Sequence, residues 1–196
     1  MKLVILDRDG TINEDSDDYI KSVDEWQPLP GALEAIARLN QEGWHVVLAT
    51  NQSGLGRGLF DMATLNAMHL KMNGLLAQHG GRIDAVFFCP HAPEDSCDCR
   101  KPRPGLFEKI AERYGVELAE VPAVGDALRD LQAAASAGCP PHLVRTGKSK
   151  HLDDAGIKRM HEQVPGLTVH ADLAAFAEAL IAAQPDGSQR SPGANH

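Results

Sequence analysis

The chain has 196 residues, 43% of them hydrophobic and 23% charged, which is enough apolar material for one domain with a substantial core. Its net charge of −8 argues against a sequence-independent partner for nucleic acid, though not against a phosphorylated small molecule met by a metal and a few local cations. No apolar run approaches the ~18 residues that span a bilayer, and the N-terminus enters an apolar strand without a signal-peptide pattern, so no membrane contact and a cytoplasmic location are expected.

Leu3-Val4-Ile5-Leu6 is an unbroken apolar run and reads as a strand buried on both faces of a parallel sheet. It stops at Asp7 and Asp9, spaced i, i+2, and Gly10 then allows a sharp turn. Ligands of open α/β sheets bind beyond the carboxyl ends of the strands. Two carboxylates at such an end suit a hard cation such as Mg²⁺. Beside a bound cation, one aspartate can attack while the other relays a proton. A plain surface turn is the competing reading of Asp-x-Asp-Gly; the preceding strand and the following Thr11 favour chemistry.

Residues 14–21 carry Asp15, Asp17 and Asp18 and read as an acidic loop, packed down by Trp26 and Leu29. A helix is expected over 32–41, ended by Gly43. The strand 44–49 then delivers Thr50, Asn51, Gln52 and Ser53, whose hydroxyls and amides can donate to phosphate oxygens. Residues 54–58, Gly-Leu-Gly-Arg-Gly, read as a loop that leaves room for a ligand and offers it Arg57. Asp61 reads as the N-cap of a long helix ending near His79, with Leu65, Met68, Met72, Leu75 and Leu76 facing inward.

A third strand, 83–88, runs into Cys89, His91, Cys97 and Cys99, four soft or borderline ligands within eleven positions. In a chain without a secretion signal such clustering points to a metal rather than to disulfides. The set matches a closed Cys₃His zinc site, structural because no coordination position is left open. Arg100 and Lys101 follow at once, and Lys101 can neutralise the aspartates and a phosphate. A helix from Pro104 to Tyr114 follows, with Leu106, Phe107 and Ile110 inward. A fourth strand over 121–125 ends at Asp126, and Asp130 lies one helical turn later. Beyond it the sequence predicts a helix over 128–137, a strand over 142–145, a helix over 153–162, an edge strand over 167–170 and an alanine-rich helix over 171–183. The polar residues 184–196 are expected to form a disordered tail, leaving one domain over 1–183.

Asp7-x-Asp9-Gly-Thr11, Thr50, Lys101 and Gly125-Asp126-x-x-x-Asp130, all at strand ends and in that order, resemble the four motifs of the haloacid dehalogenase-like phosphatases. The resemblance covers residues ~1–145. It implies an α/β, doubly wound, mostly parallel Rossmann-like sheet. Neither gap between motifs holds an independent cap domain. It implies an aspartyl-phosphate formed on Asp7, with Asp9 as acid and then base, and Thr50 and Lys101 against the phosphoryl group. It implies Mg²⁺ held by Asp7, Asp126 and the main-chain oxygen of Asp9, with Asp130 supporting Lys101 or the metal's waters.

Asp-Arg-Asp-Gly-Thr-Ile-Asn, Thr-Asn-Gln-Ser-Gly and Cys-Pro-His…Cys-Asp-Cys-Arg-Lys-Pro narrow the resemblance. They are similar to the subgroup acting on heptose bisphosphates and on histidinol phosphate. Arg57 and Arg100 are more cations than one phosphate needs, and they would repel the amine of histidinol phosphate. The expected reaction is therefore removal of the 7-phosphate of a heptose 1,7-bisphosphate in lipopolysaccharide-core synthesis, by a monomer. Asp15 and Asp18 are expected at the sugar hydroxyls. A receiver-like signalling domain also accepts phosphate on Asp. It would not carry the Cys₃His cluster, and it lacks an acid two residues after the nucleophile.

Overall fold

A computed structural model describes residues 1–184; all of the expected tail but Gln184 lies outside them. Six strands form one sheet in the order β3-β2-β1-β4-β5-β6, where β1 is Leu3–Leu6, β2 His45–Asn51, β3 Ala85–Cys89, β4 Ala123–Gly125, β5 Pro141–Val144 and β6 Thr168–His170. Every pairing is parallel, so the sheet is wholly rather than mostly so. The α-helices are α1 (Ala32–Gln41), α2 (Ser53–Gly56), α3 (Met62–Gln78), α4 (Gly105–Tyr114), α5 (Leu128–Ala137), α6 (Asp154–Gln163) and α7 (Leu173–Ala182). Among the described residues no helix is long and apolar enough to cross a membrane.

Alternation along β1 explains the layering. Val4 and Leu6 pack with Ile36 and Leu39 of α1, Leu65 and Met68 of α3 and Phe176 of α7. Leu3 and Ile5 point the other way, to Leu106 and Ile110 of α4 and Ala133 of α5. Because both faces are covered by helices, all four residues of β1 are buried, which is why the run carries no polar residue. The chain order leaves β1 toward β2 on one side and β4 on the other. The carboxyl ends of these three strands therefore open a crevice, the place where ligands of open sheets bind.

The helices expected at 32–41 and 128–137 form with those bounds, and Asp61 caps α3 by accepting from Thr64 N. β1 also keeps its expected bounds, while β2 to β6 shift by a residue or two. β2 continues through Thr50 and Asn51 because these pair with Phe88 and Cys89 of β3. The first of the residues expected to meet a phosphate thus sit on a strand rather than a loop. The glycine-rich stretch is also not simply a loop, since α2 forms there. Gly56 donates its N–H to Pro90 O at 2.9 Å, and a side chain at this position would strike that carbonyl. The acidic segment is held from below: Ile20 and Trp26 are buried, and Lys71 Nζ donates to the carbonyls of Val23 and Trp26.

Candidate active site

Asp7 leaves β1 into the crevice, and Gly10, with φ of 85°, turns the chain back. A Cβ on Gly10 would collide with the carboxylate of Asp126, so the glycine is what lets the first and last acidic motifs meet. Asp7, Asp126 and Asp130 are all buried, with ligand oxygens within 4.8 Å of one another. One buried cation stands among them: Lys101 Nζ lies 2.7 Å from Asp7 Oδ1, 2.8 Å from Asp130 Oδ1 and 2.8 Å from Ala49 O. Asp130 also accepts from Ala127 N at 3.0 Å, closing the first turn of α5. Lys148 N donates to Asp126 Oδ2 at 2.7 Å.

Three buried carboxylates against one lysine leave an excess of negative charge. Burial, then the charge of Asp130, pushes Asp7 up to about 6, although Lys101 pulls the other way. Burial and the charges of Asp130 and Asp7 lift Asp126 well above the usual carboxylate range. Burial alone would lower Lys101, but Asp130 and Asp7 outweigh it and hold the ammonium above its ordinary value. All-oxygen donors, excess charge and a glycine-made gap fit a small divalent cation.

The carboxylate of Asp9 does not belong to this cluster. It accepts from Arg8 Nε at 2.9 Å, Asn13 Nδ2 at 2.8 Å and Gln52 Nε2 at 3.0 Å. Arg8 is fully buried and also reaches Gln52 Oε1 and, at 3.2 Å, His69 Nε2 on α3. Burial and then the Arg8 charge push His69 down to about 4, so its ring is neutral. Arg8 is absent from the residues expected at the site; its one signal in the sequence is its place between two site acids. Thr50 Oγ1 accepts from Gln52 Nε2 at 2.9 Å, and the Asn51 amide clamps both main-chain groups of Lys101, at 3.0 and 3.1 Å.

A polar cavity of about 210 Å³ opens over these groups, lined by Asp7, Asp9, Asp15, the 50–53 segment, Arg100 and Lys101. Arg129 and Lys148, which no motif marks, line it too. Lys148 Nζ ties down the acidic loop through Asp15 at 3.2 Å and through Asp17. Two expected contacts lie elsewhere. Arg57 is outside the cavity, 3.5 Å from Glu94, because α2 turns its side chain toward the 92–95 segment. Asp18 is exposed beyond the cavity lining, where its carbonyl accepts from Lys21.

Cys89, His91, Cys97 and Cys99 form a second cluster, with ligand atoms within 4.8 Å of each other. Cys89 Sγ lies 3.8 Å from Cys97 Sγ and 3.4 Å from His91 Nδ1. Those two are near the edges of a tetrahedron around an ion bound at about 2.0–2.3 Å, while Cys99 Sγ, 3.1 Å from Cys89 Sγ and 3.3 Å from His91 Nδ1, would have to move outward to complete it. All four cysteines are free thiols, and burial pushes Cys89 up to about 12. The cluster ends directly before Arg100 and Lys101, so whatever orders it also orders those two cations.

A family model for haloacid dehalogenase-like hydrolases matches residues 13–138, beginning just after the two aspartates. D-glycero-beta-D-manno-heptose-1,7-bisphosphate 7-phosphatase of Bordetella bronchiseptica is 62% identical over 182 residues, covering 92% of this chain and 98% of its own. Its Pseudomonas aeruginosa counterpart is 51% identical over 91% of this chain and 97% of its own. The crystal structure of D,D-heptose 1,7-bisphosphate phosphatase from B. bronchiseptica, complexed with magnesium and phosphate, superposes with a TM-score of 0.88. It is 60% identical over 93% of this chain and 99% of that one. The corresponding enzyme from Burkholderia thailandensis gives a TM-score of 0.71 at 52% identity, covering 92% of this chain and 99% of that one.

Proposed function

The chain belongs to the haloacid dehalogenase-like hydrolases, and from that premise we propose that it removes the 7-phosphate of D-glycero-β-D-manno-heptose 1,7-bisphosphate, leaving the 1-phosphate. The observation that carries the substrate is the 62% identity to a relative of that name across nearly the full length of both chains. Such a step belongs to heptose supply for lipopolysaccharide core. A reducing compartment such as the cytoplasm keeps the three clustered thiols available for metal.

Asp7 and Asp126, with the main-chain oxygen of Asp9, would hold Mg²⁺, and Asp130 keeps Lys101 in place beside them. When bound, the ion offsets charge on the phosphoryl oxygens and on the acids. An Asp7 oxygen attacks phosphorus as the bond to the sugar oxygen breaks, and Asp9 delivers a proton to that leaving oxygen. Asp9 then takes a proton from water, whose oxygen attacks the phosphorus of the aspartyl-phosphate and frees Asp7 and inorganic phosphate. Arg8, Asn13 and Gln52 fix the Asp9 carboxylate so that it can serve both steps. Proton transfer of this kind contributes ~10²–10⁴-fold. Thr50, the 51–53 segment and Lys101 hold the phosphoryl oxygens, and Asp15 meets sugar hydroxyls from across the cavity.

The deciding experiment compares kcat/KM for the heptose bisphosphate, histidinol phosphate and fructose 1,6-bisphosphate. The heptose is expected to win by at least ~10²-fold, the scale set by one or two charge-assisted hydrogen bonds that histidinol phosphate lacks and that fructose 1,6-bisphosphate misplaces. Equal use of histidinol phosphate would overturn the substrate and leave the phosphatase chemistry standing.

Metal linkage gives a further expectation. Asp7 has a folded-state value of about 6, raised from 3.8, so its contribution to stability is full below about 4 and is lost as pH rises through 6. Mg²⁺ needs the ionised form. The rise in Tm on adding saturating Mg²⁺ should therefore be larger at pH 7.5 than at pH 5, by calorimetry. An equal rise at both would mean that Asp7 is not a ligand.

Zn²⁺ held by Cys89, His91, Cys97 and Cys99 is the structural ion of this reading. Metal analysis should give about one zinc per chain. Cys97→Ser should lower Tm by roughly 5 °C or more, taking ~2–4 °C per kcal/mol at this size. It should also weaken turnover through the adjoining Arg100 and Lys101. A metal-free preparation with full activity and unchanged Tm would remove the ion.

A further inference from the structure

A substrate with phosphates at both ends needs two sets of cations, and only one set is accounted for by the chemistry at Asp7. Four basic side chains line the cavity: Arg100, Lys101, Arg129 and Lys148. Lys101 contacts Asp7, Asp130 and Ala49 O and serves the phosphoryl group that is transferred. Lys148 is committed to Asp15 and Asp17. Arg100 spends one weak bond, 3.4 Å to His91 O. Arg129 makes no hydrogen bond or ion pair among the described residues, although the charges of Asp130, Asp7, Asp126 and Asp15 all act on it. Its exposed guanidinium faces the cavity from the first turn of α5, a rigid mount between Leu128 and the buried Asp130. Arg57, the other arginine that the sequence offered for this task, is spent on Glu94 outside the cavity.

We propose that Arg129 is a specificity-determining residue which, together with Arg100, receives the phosphate that is not removed. The proposal rests on the bisphosphate reading above. A guanidinium offers a planar pair of N–H donors to one phosphate, a contact that a point charge on a lysine reproduces only in part. The competing role is charge balance for the three buried acids. A bound divalent cation would make that role redundant, and it would act on every substrate alike.

The test measures kcat and KM on the heptose 1,7-bisphosphate and on the heptose 7-monophosphate, with Mg²⁺ titrated in each case, for wild type, Arg129→Ala, Arg129→Lys and Arg57→Ala. Arg129→Ala should reduce the preference for the bisphosphate by about 10–100-fold, the effect of removing one charge-assisted hydrogen-bonding group, chiefly through KM. Arg129→Lys should restore part of it, and Arg57→Ala should keep the wild-type preference. Thermal melts should leave Arg129→Ala folded, since it trades an exposed side chain for a good helix former. Equal losses on both substrates, or a change confined to Mg²⁺ half-saturation, would overturn the role of Arg129 and leave it as charge balance. A wild-type enzyme with no preference for the bisphosphate would instead overturn the substrate reading, and this inference with it.

Discussion

Asp7→Asn is expected to lower turnover by at least ~10⁴-fold while the protein stays folded. Loss of a covalent nucleophile costs on that order or more in enzymes whose catalytic groups act as a unit. Asparagine keeps the size of the side chain and can still accept from Lys101 Nζ, now 2.7 Å from Asp7 Oδ1. It removes one of three buried negative charges, so the metal-free variant should melt no lower at pH 7.5 than metal-free wild type. Single-turnover assays should detect no acid-stable, hydroxylamine-sensitive phosphoryl-enzyme. Retention of more than ~1% of the wild-type rate would mean that phosphate is not transferred to Asp7.

Lys101→Met should be the most damaging change to both stability and rate. Methionine fills a similar volume but leaves Asp7 and Asp130 without their cation, at 7% and 4% exposure. Breaking a buried ion pair from one side costs about 3–5 kcal/mol. At roughly 2–4 °C per kcal/mol for a chain of this size, Tm should fall by about 6–20 °C. Turnover should fall by ~10²–10³-fold, because an oriented cation against the phosphoryl oxygens is lost. Saturating Mg²⁺ should recover part of the stability, since it supplies the same charge, but not the rate. The double variant Asp7→Asn/Lys101→Met should recover stability relative to Lys101→Met alone, a coupling that a thermal or urea double-mutant cycle measures. Simple additivity of the two effects would show that Lys101 and Asp7 are not coupled.

The grouping of the candidate site residues was legible in the sequence because they are concentrated in short runs whose residue types have few other uses. An apolar strand running into Asp7 and Asp9 sets two acids at its carboxyl end, and Cys89, His91, Cys97 and Cys99 are too close in sequence to lie far apart in space. Local signals also fixed α1 and α5 to the residue, since helical periodicity and a following glycine are properties of the segment itself. Tertiary structure decided what depends on partners distant in sequence. β2 extends through Thr50 and Asn51 because β3 offers Phe88 and Cys89 as neighbours, and α2 replaces a loop because Gly56 must approach the carbonyl of Pro90. Arg8 became part of the site because a buried guanidinium needs acceptors, and Asp9, Gln52 and His69 come together only when α3 packs on β1. The fate of the arginines was likewise invisible in the sequence. Which of them remain available to meet an anion depends on whether the fold brings a carboxylate into ion-pair distance, as it does for Arg57 with Glu94; Arg129, although acted on by nearby acids, makes no ion pair among the described residues.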